Sequence, residues 1–186
     1  MARITLPEGE DPVDVLTTKV GSPQLNARMV NGWAVQYSPG DTTLSLRERE
    51  VARTVYSHLL GCAKCQATRL ARDIPAFAGI DVPEELYENI FAPASWPGYS
   101  ERERLIVEIS ERYAENYRDM IDDEPLWTRL KANFSDVELV DIFLLLATWD
   151  GSVRMHHLLV GMADGCATPS AIAAAVRDGR PVELEV

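Results

Sequence analysis

Apolar residues recur along this chain at three- and four-residue spacing, the period of one helix face. Short clusters of Pro, Gly, Ser and Asp interrupt the runs. Strand-like alternation is nearly absent, so the expected fold class is all-α. The pattern predicts helices over 22–37, 45–60, 62–73, 83–91, 100–121, 124–133, 135–161 and 168–177. Three of the starts carry a capping box, in which a serine and a glutamate three residues later satisfy free amides of the first turn: Ser45 with Glu48, Ser100 with Glu103, and Ser135 with Glu138. Two of these also share the longer pattern apolar-Ser-x-Arg-Glu-Arg, at Leu44 to Arg49 and at Tyr99 to Arg104, 55 residues apart. They read either as two related helical hairpins or as one cap sequence used twice. Around 136–159 the apolar residues, among them Val137, Val140, Ile142 and Leu144, cover nearly the whole helix circumference. A surface helix of a small monomer could not bury that much, so this segment is expected to be central, to meet a second subunit, or both.

Composition narrows the picture. The 186 residues (20.7 kDa) include 46% hydrophobic residues, and 18 Lys and Arg stand against 29 Asp and Glu, for a net charge of -11 and a pI near 4.7. Such a chain can build a core and is not disordered. Its acidity argues against a nucleic-acid or anionic-membrane partner, which would require a basic surface. The longest apolar run, Ile142 to Trp149, is bracketed by Asp141 and Asp150 and falls short of the roughly 18 residues that span a bilayer. Met1 to Asp14 has no signal-peptide pattern. The expectation is a soluble, cytoplasmic protein.

Candidate chemistry concentrates between Leu46 and Arg72, where Glu50, His58, Cys62, Lys64, Cys65 and Arg69 are the reactive residues. On one straight helix Glu50 would lie about 18 Å from Cys62. Gly61 is a natural helix stop, because glycine readily takes the left-handed conformation. A second helix opening at Cys62 would then run back along the first and bring Arg69 roughly level with Glu50. Cys62 would sit in a first helical turn, where free amides and the helix dipole stabilise a thiolate, with Lys64 adding charge. A Cys-x-x-Cys pair in a reducing compartment reads as redox-active or metal-binding rather than as a structural staple. Zinc would need two more ligands from Cys166, His156 and His157, and neighbouring histidines on a helix point apart. No metal is expected.

The capped Leu-Ser-x-Arg-Glu-Arg-Glu helix followed by Gly-Cys-x-x-Cys resembles the alkylhydroperoxidase D-like branch of the carboxymuconolactone decarboxylase superfamily, over residues 22–162. Phe134-Ser135-Asp136-Val137-Glu138-Leu139-Val140-Asp141 is similar to that family's second conserved element. The resemblance implies a single helical-bundle domain over 22–162 with a central hairpin carrying the Cys pair. An extension at 1–21 precedes it, and a helix and tail at 163–186 follow. It also implies a homo-oligomer, whether dimer, trimer or hexamer. Glu50, Cys62 and Cys65 match the family's redox signature, whereas Arg69 stands where the family has a histidine. Arginine keeps its proton and cannot shuttle it. Arg69 is therefore expected to pair with Glu50 across the hairpin, and His58 is the candidate replacement base.

The first functional expectation is a thiol oxidoreductase without a bound cofactor, in which a thiolate at Cys62 or Cys65 attacks a hydroperoxide or a small disulfide, the pair closes as a Cys62–Cys65 disulfide, and a lipoyl or thioredoxin-type reductant reopens it. The alternative is a non-redox decarboxylase, lyase or hydrolase acting on a small carboxylated or lactone metabolite near Arg69 and His58. Tyr56, Trp149, Arg154, His156 and His157 are candidate pocket residues for that reading. A third is a scaffold protein in which the cysteines are only core. Cys166 has no visible role.

Overall fold

The computed structural model describes residues 3–5, 7–10 and 21–160. The expected helix at 168–177, Cys166 and the tail lie outside the described residues, as does most of the N-terminal extension. Among the described residues there are eight α-helices and no strand. They are α1 (Pro23–Ala34), α2 (Leu46–Leu59), α3 (Ala63–Ala67), α4 (Leu70–Asp73), α5 (Glu84–Glu88), α6 (Glu101–Asn116), α7 (Glu124–Asn133) and α8 (Asp136–Val160). The all-α expectation holds. None of these helices is long and apolar enough to cross a membrane.

Three of the long helices begin as the sequence predicts. The Ser45 and Ser100 amides donate to Glu48 and Glu103 at 2.8 and 2.7 Å, and the glutamate amides donate back to the serine hydroxyls at 3.2 Å. Ser135 and Glu138 repeat the exchange at the start of α8. The two related motifs lie side by side where α2 packs on α6, and each arginine bonds the other motif's capping glutamate. Arg47 Nε meets Glu103 at 2.7 Å, and Arg102 Nε meets Glu48 at 2.6 Å. Arg102 also reaches Glu138 at 2.7 Å and the Asn133 carbonyl, with its guanidinium over the Phe134 ring. One side chain thus ties the starts of α2, α6 and α8 together.

Below these caps the apolar stripes of α2 and α6 merge with the inner side of α8. Val51, Val55, Leu105, Ile106, Ile109, Ile142 and Leu146 form the centre of one continuous core. The helix over 136–160 is not enclosed: Leu139, Ile142, Leu145, Leu146, Trp149 and Val153 face inward, while its opposite side lies open. The segment expected as one helix over 62–73 is instead two short pieces, α3 and α4, separated at Thr68–Arg69.

Hydrogen bonds from Arg102 and Ser135 hold the Glu138 carboxyl down at about 2. A carboxyl depressed on folding adds stability that is fully present above its unfolded value, about 4.3, and is lost as pH falls through about 2. Glu138→Gln is expected to lower the melting temperature near neutral pH and to flatten its decline between about pH 4 and pH 2. Thermal unfolding followed by circular dichroism across that range checks it.

Candidate active site

The chain doubles back as expected. Leu60 closes α2 by donating to the Tyr56 carbonyl at 2.9 Å, Gly61 adopts φ +71°, and the Cys62 amide donates to the Ser57 carbonyl at 2.8 Å. A left-handed residue there reverses the chain without the clash a Cβ would bring. The returning strand of the hairpin lies against α2 and is held by two of its side chains.

Glu50 is fully buried, with 0% exposure. Its Oε2 accepts from Arg53 Nε at 2.9 Å and Nη2 at 2.5 Å, and its Oε1 accepts from the Tyr87 hydroxyl at 2.8 Å and from the Leu70 amide. Arg53 in turn donates to the carbonyls of Cys65 and of Thr68, the latter at 2.6 Å. These contacts explain why one helix over 62–73 does not form. At the break Arg69 is extended, with φ -126° and ψ 107°. The Leu70 amide, which would bond the Gln66 carbonyl in a continuous helix, goes to Glu50, and the Gln66 carbonyl accepts from Arg69 Nη1 at 2.6 Å. Side chains replace the broken backbone ladder, so the buried polar groups remain satisfied.

Cys62 and Cys65 are joined by a disulfide. Cys62 is 1% exposed, whereas Cys65 is half-buried. The Cys65 amide donates to Cys62 Sγ at 3.3 Å, placing a backbone donor on the inner sulfur. A thiol arriving from solvent therefore meets Cys65 first. The inner sulfur, when released, leaves into an amide hydrogen bond that favours the thiolate. The side chain of Lys64 lies outside the described residues.

Arg69 does not pair with Glu50, contrary to the expectation. Glu50 already has four hydrogen bonds, and the nearer cation is Arg53 on its own helix. Arg69 turns outward to Glu84 at 2.5 Å and stacks over the Tyr87 ring, with its guanidinium carbon 3.9 Å from the centroid. The hydrogen bonds from Arg69 hold the Glu84 carboxyl below its usual range. The Tyr87 phenol is pushed well up, first by burial and then by the charge of Glu50, and so remains a protonated donor to that carboxylate.

His58 is exposed, with Nδ1 2.9 Å from the Thr54 carbonyl and its ring edge-on to Phe91 at 5.3 Å. Tyr56 and Trp149 are buried packing residues whose ring centroids lie 6.5 Å apart. His156 is buried and His157 half-buried, while Arg154 lies at the surface and pairs with Asp150 at 2.6 Å. Among the described residues no group of three His, Cys, Asp or Glu side chains is arranged to hold a metal. The sequence reading missed Arg53 and Tyr87. Arg53 was detectable as a cation three residues after Glu50, on the same helix face; Tyr87, 37 positions away, left no local signal.

The site that fold and geometry define is a helical hairpin bearing a disulfide, its return strand clamped by a buried carboxylate–guanidinium pair. No family model, no curated protein and no solved structure matches the chain.

Removing one partner of a buried ion pair strands the other, which typically costs about 3–5 kcal/mol. Arg53→Met is therefore expected to cost about 3 kcal/mol or more. Arg69→Met, which breaks a pair with a largely exposed glutamate and leaves the part-buried Gln66 carbonyl to water, is expected to cost less, about 1–2 kcal/mol. Urea unfolding of the two variants measures the contrast, and equal losses would contradict the clamp.

Proposed function

We propose that the protein is a thiol-dependent oxidoreductase of the alkylhydroperoxidase D-like kind, working through the Cys62–Cys65 pair. The observation that carries this reading is the asymmetry of the pair: an inner sulfur held by a backbone amide and an outer one on the solvent side, both on a turn anchored from α2. The similarity of the Glu50 to Cys65 stretch to the family's redox signature supports it independently.

Reduction begins when an external thiolate attacks Cys65 Sγ. The Sγ–Sγ bond breaks, a mixed disulfide forms at Cys65, and the electron pair leaves on Cys62. A second thiol of the reductant then displaces Cys65, and the reductant departs as its own disulfide. In the oxidative direction the Cys65 thiolate attacks a hydroperoxide, giving a sulfenic acid and an alcohol. Cys62 displaces hydroxide from that sulfur, which leaves as water after taking up a proton, and the disulfide is restored. Cys65 is the attacking residue and Cys62 the resolving one. Glu50 is a positioning residue: its carboxylate is engaged by Arg53, Tyr87 and the Leu70 amide, and it acts on the cysteines by holding Arg53 against the Cys65 carbonyl. Arg69, tied to Glu84, keeps positive charge near the turn and relays no proton.

The reduced protein is expected to lose two thiols together on treatment with cumene hydroperoxide and to recover them with dihydrolipoamide. Cys62→Ser should accumulate a sulfenic acid at Cys65, seen by mass spectrometry after dimedone labelling, and Cys65→Ser should not react. Unchanged peroxide turnover in both variants would show that the pair is structural.

A further inference from the structure

The buried charges behind the cysteine turn do not balance. Arg49, Glu50 and Arg53 are 4%, 0% and 5% exposed, so α2 takes two guanidiniums and one carboxylate out of water. Glu50 is engaged by Arg53, its ion-pair partner at 2.5 Å. Arg49 has no carboxylate at ion-pair distance among the described residues. Its Nη1 donates to the carbonyls of Gln36 at 3.2 Å and Ser38 at 3.0 Å, its guanidinium carbon stands 4.9 Å from the centre of the Phe77 ring, and its Nε has no hydrogen-bond partner. Burial pushes the Arg49 guanidinium below its usual range, and the charges of Glu50 and Asp41 offset only part of this. Asp41 is exposed, where solvent and salt screen it. Arginine keeps its proton even so, and the buried cluster carries one net positive charge. The charged side chains that pack around the turn are otherwise matched among themselves. Arg72 pairs with Asp73 at 2.6 Å and Arg69 with Glu84 at 2.5 Å, Tyr87 remains a protonated phenol, and His58 Nδ1 meets the Thr54 carbonyl.

We propose that Arg49 is the positioning residue that keeps the reduced cysteine pair ionised, its uncompensated charge holding Cys62 and Cys65 as one thiol and one thiolate. The inference rests on the reading of Cys62 and Cys65 as a working pair and adds the residue that sets its charge. Arg49 lies one helical turn before Arg53, about 6 Å along α2, and Arg53 donates to the Cys65 carbonyl. The Arg49 charge is therefore on the order of 10 Å from the sulfurs. At the effective dielectric constant of a protein, about 20, a unit charge at that distance moves an ionisation by about one pH unit. Reduction by a dithiol then brings the protein two electrons and one proton. The Sγ–Sγ bond breaks, one sulfur takes the proton and the other stays charged, and the reductant leaves as its own disulfide with its second proton passing to solvent. The thiolate supplies the negative charge that the disulfide form of the cluster lacks. A fixed guanidinium is suited to this task, because its own charge does not change over the pH range in which the thiols titrate.

The test follows the ultraviolet absorbance of the thiolate against pH in reduced full-length protein carrying Cys166→Ser, so that only the pair is seen. The first ionisation is expected about one unit or more below the ordinary cysteine value of about 8.5. Two uncharged variants in that background are expected to raise the midpoint by about one unit: Arg49→Met, which keeps an unbranched chain against Phe77, and Arg49→Gln, which keeps a donor for the carbonyls. Arg49→Lys retains the charge and is expected to restore the midpoint. Circular dichroism identifies which uncharged variant keeps its helices, and that variant carries the comparison. A first ionisation at or above about 8.5 in the Cys166→Ser protein overturns the proposal without any Arg49 variant. A midpoint that a folded uncharged variant leaves in place overturns it too, since Arg49 would then only cap the Gln36 and Ser38 carbonyls, and so does a lysine that fails to restore it. The titration uses no peroxide, so an Arg49-dependent thiolate stands even if the pair proves to serve another chemistry.

Discussion

The buried pair of Glu50 and Arg53 is the interaction on which the shape of the hairpin depends. Two charges taken out of water are costly unless every lone pair and proton finds a partner. Here the partners are backbone groups of the returning strand, the Leu70 amide and the Cys65 and Thr68 carbonyls, together with the Tyr87 hydroxyl. The same bonds that make burial of the pair tolerable also release residues 68–69 from helical pairing and hold the disulfide turn against α2. The carboxylate and the cysteines are thus coupled through an arginine and the backbone, with no direct contact in which the acid serves as a base.

A second use of arginine and glutamate organises the top of the bundle. Each capping glutamate closes its own helix start and also receives an arginine from the neighbouring copy of the motif. Local and tertiary demands agree at these positions, the kind of consistency that favours one packing over its competitors. Arg102 extends the arrangement to α8 through Glu138. The arrangement sets where α8 lies and which of its sides remains open.

The cysteine turn and the open side of α8 lie on separate parts of the molecule. The cysteine turn lies at the end of α2, beside the His58–Phe91 contact. Arg69 occupies a position that a shuttling histidine would take in the family this chain resembles. Its engagement with Glu84 and the Tyr87 face gives it a structural task there.

Helix starts, the Gly61 reversal and the all-α class were legible in the sequence because each rests on contacts within a few residues: a serine with a glutamate three positions on, a glycine with φ of +71°, and an apolar spacing repeated along one strand of chain. Counting residues either side of that turn set Arg69 level with Glu50, one position from Leu70, whose amide the carboxylate binds. The partner of Glu50 did not follow, because Arg53, Arg69 and the backbone were all within reach and only the packed hairpin decides which arrives first. Nor did the break at 68–69, since local propensity favoured a continuous helix and the bonds that interrupt it come from a helix 15 to 20 residues earlier. Tyr87 and Glu84 entered the site by chain folding alone. The side of α8 left open was likewise undecided by a pattern that is apolar all round: the placement of α2 and α6, through Arg102 and the capping glutamates, determines which side meets the core.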